Sequence, residues 1–285
     1  MIQLVQQLVN GLIMGSIYGL VALGVTMSFG LMGIVNFAHG AFVMAGGFAA
    51  YYFTTLYGMP FLLAGAASMA AIGLLGLAVE RFTFRFARNE PINGLMISIG
   101  LIYVMENAAI LLFGPDNKAI APLFAGTVDI GGVVIATQRI FVFCASSALL
   151  ALFYLYVKKT RSGKAMRAVA ENAFAARLMG IGIDRVIGLA FAIGCALAAA
   201  AGVALGSLFV VTAHMGGAPL MKAFVIITLG GFGSIRGAFV AAFIIGLVDS
   251  LAAGYVSSAW ADIFGYIVFI LILIFKPKGI FGEGT

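Results

Sequence analysis

Runs of about 20 mostly apolar residues recur along nearly the whole chain, as in "VIGLAFAIGCALAAAAGVALGSLFVV" at 186–211. Each run is long enough to cross the hydrocarbon core of a bilayer as a helix. In hydrocarbon every backbone N–H and C=O must find a partner within the protein, which leaves only helices or a closed barrel. The alternating apolar and polar pattern of barrel strands is absent, so helices are predicted. The chain therefore reads as an all-α polytopic membrane protein. Its composition agrees: 63% of the 285 residues are hydrophobic and 9% are charged, against about a quarter charged in soluble domains.

Spans are predicted at 8–29, 36–57, 60–84, 92–113, 138–157, 186–211, 237–256 and 262–275. Residues 219–234 form a shorter apolar segment, read as a further span or a broken half-helix. That gives about eight to nine transmembrane helices, some broken or short, in a single transmembrane domain over 1–285. The first residues lack a basic start and a small-residue cleavage site, so they read as the first span rather than a signal peptide. Cys144 and Cys195 both fall inside spans and read as small buried apolar filler, with no metal or disulfide pattern. "HGAFVMAGGF" at 39–48 and "RGAFVAAFII" at 236–245 echo each other, suggesting a possible internal repeat.

The net charge of +6 is a topology signal rather than a sign of nucleic acid. Arg81, Arg85 and Arg88 follow the third span, and Lys276 and Lys278 follow the last. Lys158, Lys159, Arg161, Lys164, Arg167 and Arg177 lie in one loop, while 114–137 holds only Lys118. Positive residues stay inside, so the loop at 158–184 and the C-terminus are expected in the cytoplasm, with 114–137 and the N-terminus outside.

That loop, "KKTRSGKAMRAVAENAFAARLMGIGID", is much longer than a plain connector. Met166, Val169, Ala173, Phe174 and Leu178 recur at helical spacing and predict one helix with an apolar face, stopped by Gly180 and Gly182. Such a helix suits either a membrane surface or a groove in a partner.

"AENAFAARLMGI" at 170–181 resembles the cytoplasmic coupling loop of ATP-binding-cassette importer permeases. The wider chain resembles the H-type permease subunits of branched-chain amino acid importers. The matching stretches are "NFAHG" at 36–40, 167–206, "MKAFVIITLGGFGSIRGAF" at 221–239 and "FKPKGIFG" at 275–282. The resemblance implies a multi-pass subunit of the bacterial inner membrane that translocates branched-chain or related neutral amino acids. Its implied partners are cytoplasmic ATPase subunits, a second homologous permease and a periplasmic binding protein. In the loop, Glu171 and Phe174 would contact the ATPase, and Gly180 would end the docking helix.

No catalytic residues are implied, and ATP would be bound by the partner. "SGKAM" at 162–166 has Ala where a phosphate-binding loop needs a hydroxyl. Permeases for urea and short-chain amides resemble the chain closely as well. Two other classes are a passive channel, since "NFA" loosely resembles Asn-Pro-Ala, and an ion-coupled secondary transporter. Both would work without an ATPase.

Polar residues within spans are costly and point by default to a pathway. Asn36 and His39 stand just before an apolar helix, Asn36 as a helix cap and His39 bracing or lining the path. Glu106 and Asn107 lie inside the fourth span. Glu106 stands where the related permeases usually have Gln, so it is expected to face the path and favour substrates with a hydrogen-bonding or cationic group. Gly230, Gly231 and Gly233 in "LGGFGSIRG" predict a helix break facing the pathway. Arg236 and Ala41 also depart from the family pattern, which leaves the exact cargo open. Lys222 and Asp249 receive no role.

Overall fold

The computed structural model describes residues 2–88, 90–257, 261–276 and 279–280. Eleven helices account for most of it. They are α1 (Ile2–Met32), α2 (His39–Thr55), α3 (Phe61–Ala87), α4 (Pro91–Phe113), α5 (Thr137–Lys159) and α6 (Arg161–Glu171). The rest are α7 (Ala173–Leu178), α8 (Ile183–Leu208), α9 (Gly217–Gly230), α10 (Ile235–Tyr255) and α11 (Ala261–Phe275). Helices α1, α3, α4, α5, α8 and α10 are long and apolar enough to cross a membrane. Helices α2, α9 and α11 are shorter, and the 14 residues of α9 rise only about 21 Å.

Both ends of the bundle can be traced from contacts. Gln6 Nε2 donates to the Val134 carbonyl at 3.0 Å, tying the start of α1 to a hairpin of β1 (Thr127–Ile130) and β2 (Val133–Ala136). The hairpin turns at Gly131 and Gly132, both with positive φ, a conformation that a two-residue turn demands and glycine supplies. It lies in the segment 114–137, which was expected only as an external loop. At the other end, Arg85 and Arg88 from the end of α3 each hold Asp184 at the start of α8 at 2.6 Å. Every described Lys and Arg other than Lys118, Arg139 and Lys222 lies at or near this basic end. Lys278 is outside the described residues.

Two stretches of chain enter the interior without forming helix. Residues 33–38 leave the basic end and run inward, with Ile34, Asn36 and Ala38 inaccessible, until α2 begins at His39. Residues 209–216 descend from the hairpin end until α9 begins at Gly217. The two helix starts meet in the middle, where Gly40 lies against the backbone of Gly216. The short apolar segment at 219–234, read as a further span or a broken half-helix, is thus the half-helix α9, and α2 starts from a matching break.

These breaks belong to an inverted repeat. Helices α1 to α4 correspond to α8 to α11 run in the opposite direction, with α5, α6 and α7 between. The packing obeys the exchange: α1 lies on α10 as α8 lies on α3, and α2 lies on α8 as α9 lies on α1. The sequence echo names the wrong register. It joins α2 to α10, whereas the topology pairs α2 with α9. The echo has a local cause instead, because Gly40 and Gly237 in the two "GAFV" turns meet the chain at opposite ends of α9.

Packing is close because small residues line the crossings. A Cβ on Gly202 of α8 would strike the Val43 carbonyl of α2. The most enclosed helices are α8 and α1, while α4 presents most of its surface outward. Cys195 is buried as expected, but Cys144 is exposed on the outer face of α5.

Lys222 and Asp249, left without a role by the sequence, form a buried ion pair between α9 and α10, with Nζ 2.8 Å from Oδ1. Tyr266 of α11 adds its ring 5.5 Å from the ammonium. Removing one partner strands the other charge, so Lys222→Met is expected to cost about 3–5 kcal/mol. Lys222→Met with Asp249→Leu is expected to recover most of that loss, as read from thermal midpoints in detergent. Additive losses would contradict the pairing.

Candidate functional site

The loop predicted as one helix is two. Helix α6 is pinned beneath α5: the Thr160 side chain caps it, accepting from Gly163 N–H at 3.0 Å, and Arg167 donates to the Val157 carbonyl. Its Met166 and Val169 are buried in the core of the bundle. The chain then breaks at Asn172, whose φ of −156° leaves the helical region and whose side chain caps α7 by accepting from Ala175 N–H at 2.9 Å. The break turns the second half outward. Phe174 and Leu178, expected to share a face with Met166 and Val169, are instead 71% and 73% exposed. Only Ala176 of α7 is buried.

Gly180 ends α7 with φ of +79°, where its N–H donates to Arg177 and that of Ile181 to Ala176. Met179, 83% exposed, extends the apolar edge beside Phe174 and Leu178, and Glu171 is exposed at the other end of α7. The arrangement is a platform anchored by one buried face, carrying a short apolar prong. Behind α6 lies a cavity of about 530 Å³, walled by the end of α1, the end of α5 and the turn Gly233–Arg236. The loop thus faces the glycine-rich break between α9 and α10.

That break is built as the sequence indicated. Helix α9 ends at Gly230, Gly231 and Gly233 take φ of +97° and +79°, and Ser234 caps α10 by accepting from Gly237 N–H at 3.1 Å. Gly230 lies against the backbone of Gly237.

Asn36 and His39 sit together at the buried start of α2. Asn36 Oδ1 accepts from Ala38 N–H at 3.0 Å, so it shapes the turn before the helix, and Ala38 occupies the cap position in its place. The His39 ring fills a notch between α1 and α8, where a Cβ on Gly24 would collide with Nε2. Neither His39 nitrogen nor Asn36 Nδ2 finds a hydrogen-bond partner among the described residues.

Glu106 and Asn107 lie elsewhere, toward the hairpin end of α4. Asn107 is exposed and donates to its own helix at the Tyr103 carbonyl, 2.8 Å away. Glu106 pairs with His214 at 2.9 Å. His214 belongs to the descending segment before α9 and is 73% exposed at its side chain. Sequence reasoning missed it. The signal was a histidine in "TAHMGGAP", a polar, glycine-rich interruption after a long apolar helix. The residues read as pathway candidates thus fall at three depths: Glu106 and Asn107 near one end, Asn36 and His39 in the middle, and the three glycines at the other.

The family model of the branched-chain amino acid transport system permease component matches residues 7–273. The chain belongs to this family. It is 36% identical over 293 aligned residues to the high-affinity branched-chain amino acid transport system permease protein BraD of Pseudomonas aeruginosa, covering 98% of this chain and 95% of that protein. It is 34% identical, with the same coverage, to the permease protein LivH of Escherichia coli K12. Among solved structures, PsaBC from Streptococcus pneumoniae in complex with Fab superposes with a TM-score of 0.53. That match covers 95% of this chain and 92% of that one at 13% identity, so it speaks for a shared fold.

Proposed function

We propose that the chain is the membrane-spanning permease subunit of an ATP-binding-cassette importer that takes up branched-chain or related neutral amino acids. The observation that carries the reading is the apolar prong of Phe174, Leu178 and Met179, held away from the bundle on the rigid base of α6. Large apolar side chains displayed together among basic residues mark a surface made to be covered. A groove in a cytoplasmic ATPase subunit would cover it, with Glu171 making a polar contact at its rim.

By the positive-inside rule the basic end would lie in the cytoplasm and the hairpin in the periplasm of a bacterial inner membrane. A periplasmic binding protein would then deliver the amino acid to the hairpin end. A second, related permease would complete the path. The chain contributes no covalent chemistry. Closure of the ATPases would push α7, and α6 would pass the movement across the cavity to the break at Gly231 and Gly233. Deleting the chain from its host is expected to abolish high-affinity leucine uptake, and the intact chain to restore it. Unchanged uptake in the deletion strain would contradict the assignment.

Glu106 and His214 would stand at the periplasmic mouth of the path. Glu106→Gln is expected to leave the protein folded and to shift uptake away from analogues bearing a hydrogen-bonding or cationic group, relative to leucine. Identical uptake of every substrate would remove Glu106 from the path.

A further inference from the structure

Beside the coupling loop, on the outer face of the bundle, α3 and α8 leave a groove of about 540 Å³ at the basic end. Its inner half is apolar, with Leu77 of α3 and Leu189 of α8 both 40% exposed. Its outer half carries four guanidinium groups, Arg81, Arg85, Arg88 and Arg185. Two carboxylates accompany them, and both are already engaged: Arg88 holds Glu80 and Asp184, and Arg85 holds Asp184. Arg81 and Arg185 have no ion-pair partner among the described residues and are exposed. Four positive charges against two negative leave a surplus of two at the mouth of a groove whose depth is hydrocarbon-like. Glu80, 3% exposed and screened behind Arg88, adds no open negative field.

We infer that this groove is a binding site for an anionic phospholipid, with the headgroup phosphate between Arg81 and Arg185 and an acyl chain along Leu77 and Leu189. The neighbouring surface of α3 supports a lipid-facing position, since Phe82 and Phe86 are 73% and 80% exposed at the same level. Arginine suits the task because its planar fork can donate two hydrogen bonds to one phosphate. Basic pockets between transmembrane helices on the cytoplasmic side recognise anionic headgroups in this way.

The test is a native mass-spectrometry titration of the full chain in neutral detergent with short-chain phosphatidylglycerol, with phosphatidylcholine and inorganic phosphate as separate arms. Phosphatidylglycerol is expected to bind selectively. Arg81→Gln with Arg185→Gln is expected to weaken it about 30-fold, and each single change about fivefold. Arg161→Gln with Lys164→Gln, two basic residues of α6 outside the groove, is expected to leave binding unchanged. Thermal midpoints in phosphatidylcholine show which variants are folded, and the single variants serve if the double variant is not. Equal weakening by both pairs would mean diffuse surface charge and overturn the site. Binding of inorganic phosphate as tight as that of the lipid would overturn the lipid assignment.

Discussion

Gly216→Val is expected to remove the folded protein from the membrane. Gly216 has an ordinary φ of −81°, so its backbone would accept a side chain. The obstacle is the neighbour: a Cβ there would lie on the carbonyl oxygen of Gly40, at the point where α2 and α9 begin. Neither helix can retreat, since α2 is clamped on α8 through Gly202 and α9 is held at its far end by Gly237. Overpacking of this kind costs at least about 1–3 kcal/mol, and more when only backbone can yield. A total stability of about 5–15 kcal/mol leaves little margin for that. Membrane levels of the variant should fall sharply and the remainder should aggregate on extraction. Gly217→Val, one residue later, meets nothing within 4 Å and is expected to accumulate normally. Equal levels of the two variants would contradict the mid-membrane contact.

Gly180→Leu is expected to uncouple ATP hydrolysis from uptake while leaving the bundle intact. At φ of +79° a leucine costs about 1–2 kcal/mol, so the turn that ends α7 must rearrange. Nothing lies within 4 Å of a Cβ at that position, so the strain is local and α6 stays in place. The prong would then meet its partner at the wrong angle. Coupling energies are usually about 1–3 kcal/mol, so uptake is expected to drop about 5- to 150-fold with hydrolysis retained. Gly182→Ala is the control, since its φ of −74° is open to any residue. Normal coupled uptake by Gly180→Leu would remove the turn from the mechanism.

The membrane spans were legible because a bilayer imposes a length and a composition that few soluble segments share. The breaks were harder. Residues 36–38 were assigned to a span because hydropathy reports burial, and Asn36 and Ala38 are buried yet not helical. The break between α9 and α10 was readable because glycines at positive φ carry their own signature. Asn172 carried a comparable signal, a capping residue three positions before the N–H it satisfies, but the apolar spacing across it suggested a single helix. Partners distant in the sequence were beyond reach. Lys222 and Asp249 meet 27 residues apart, and Glu106 and His214 meet 108 apart, with no local pattern linking either pair. The inverted repeat was legible only as an echo joining α2 to α10, because its pairing of α2 with α9 shows in the packing of the helices.

The central claim is that α7 is where this permease meets its motor. The most direct test is affinity purification of the chain from its native membranes in mild detergent, beside the variant Phe174→Asp. Phe174 is largely exposed, so the variant should fold and keep its thermal midpoint. The account predicts that an ATP-binding subunit accompanies the wild-type chain and is lost from the variant, while the second permease stays with both. Recovery of the chain alone, or of the ATPase with both proteins in equal amount, would contradict it.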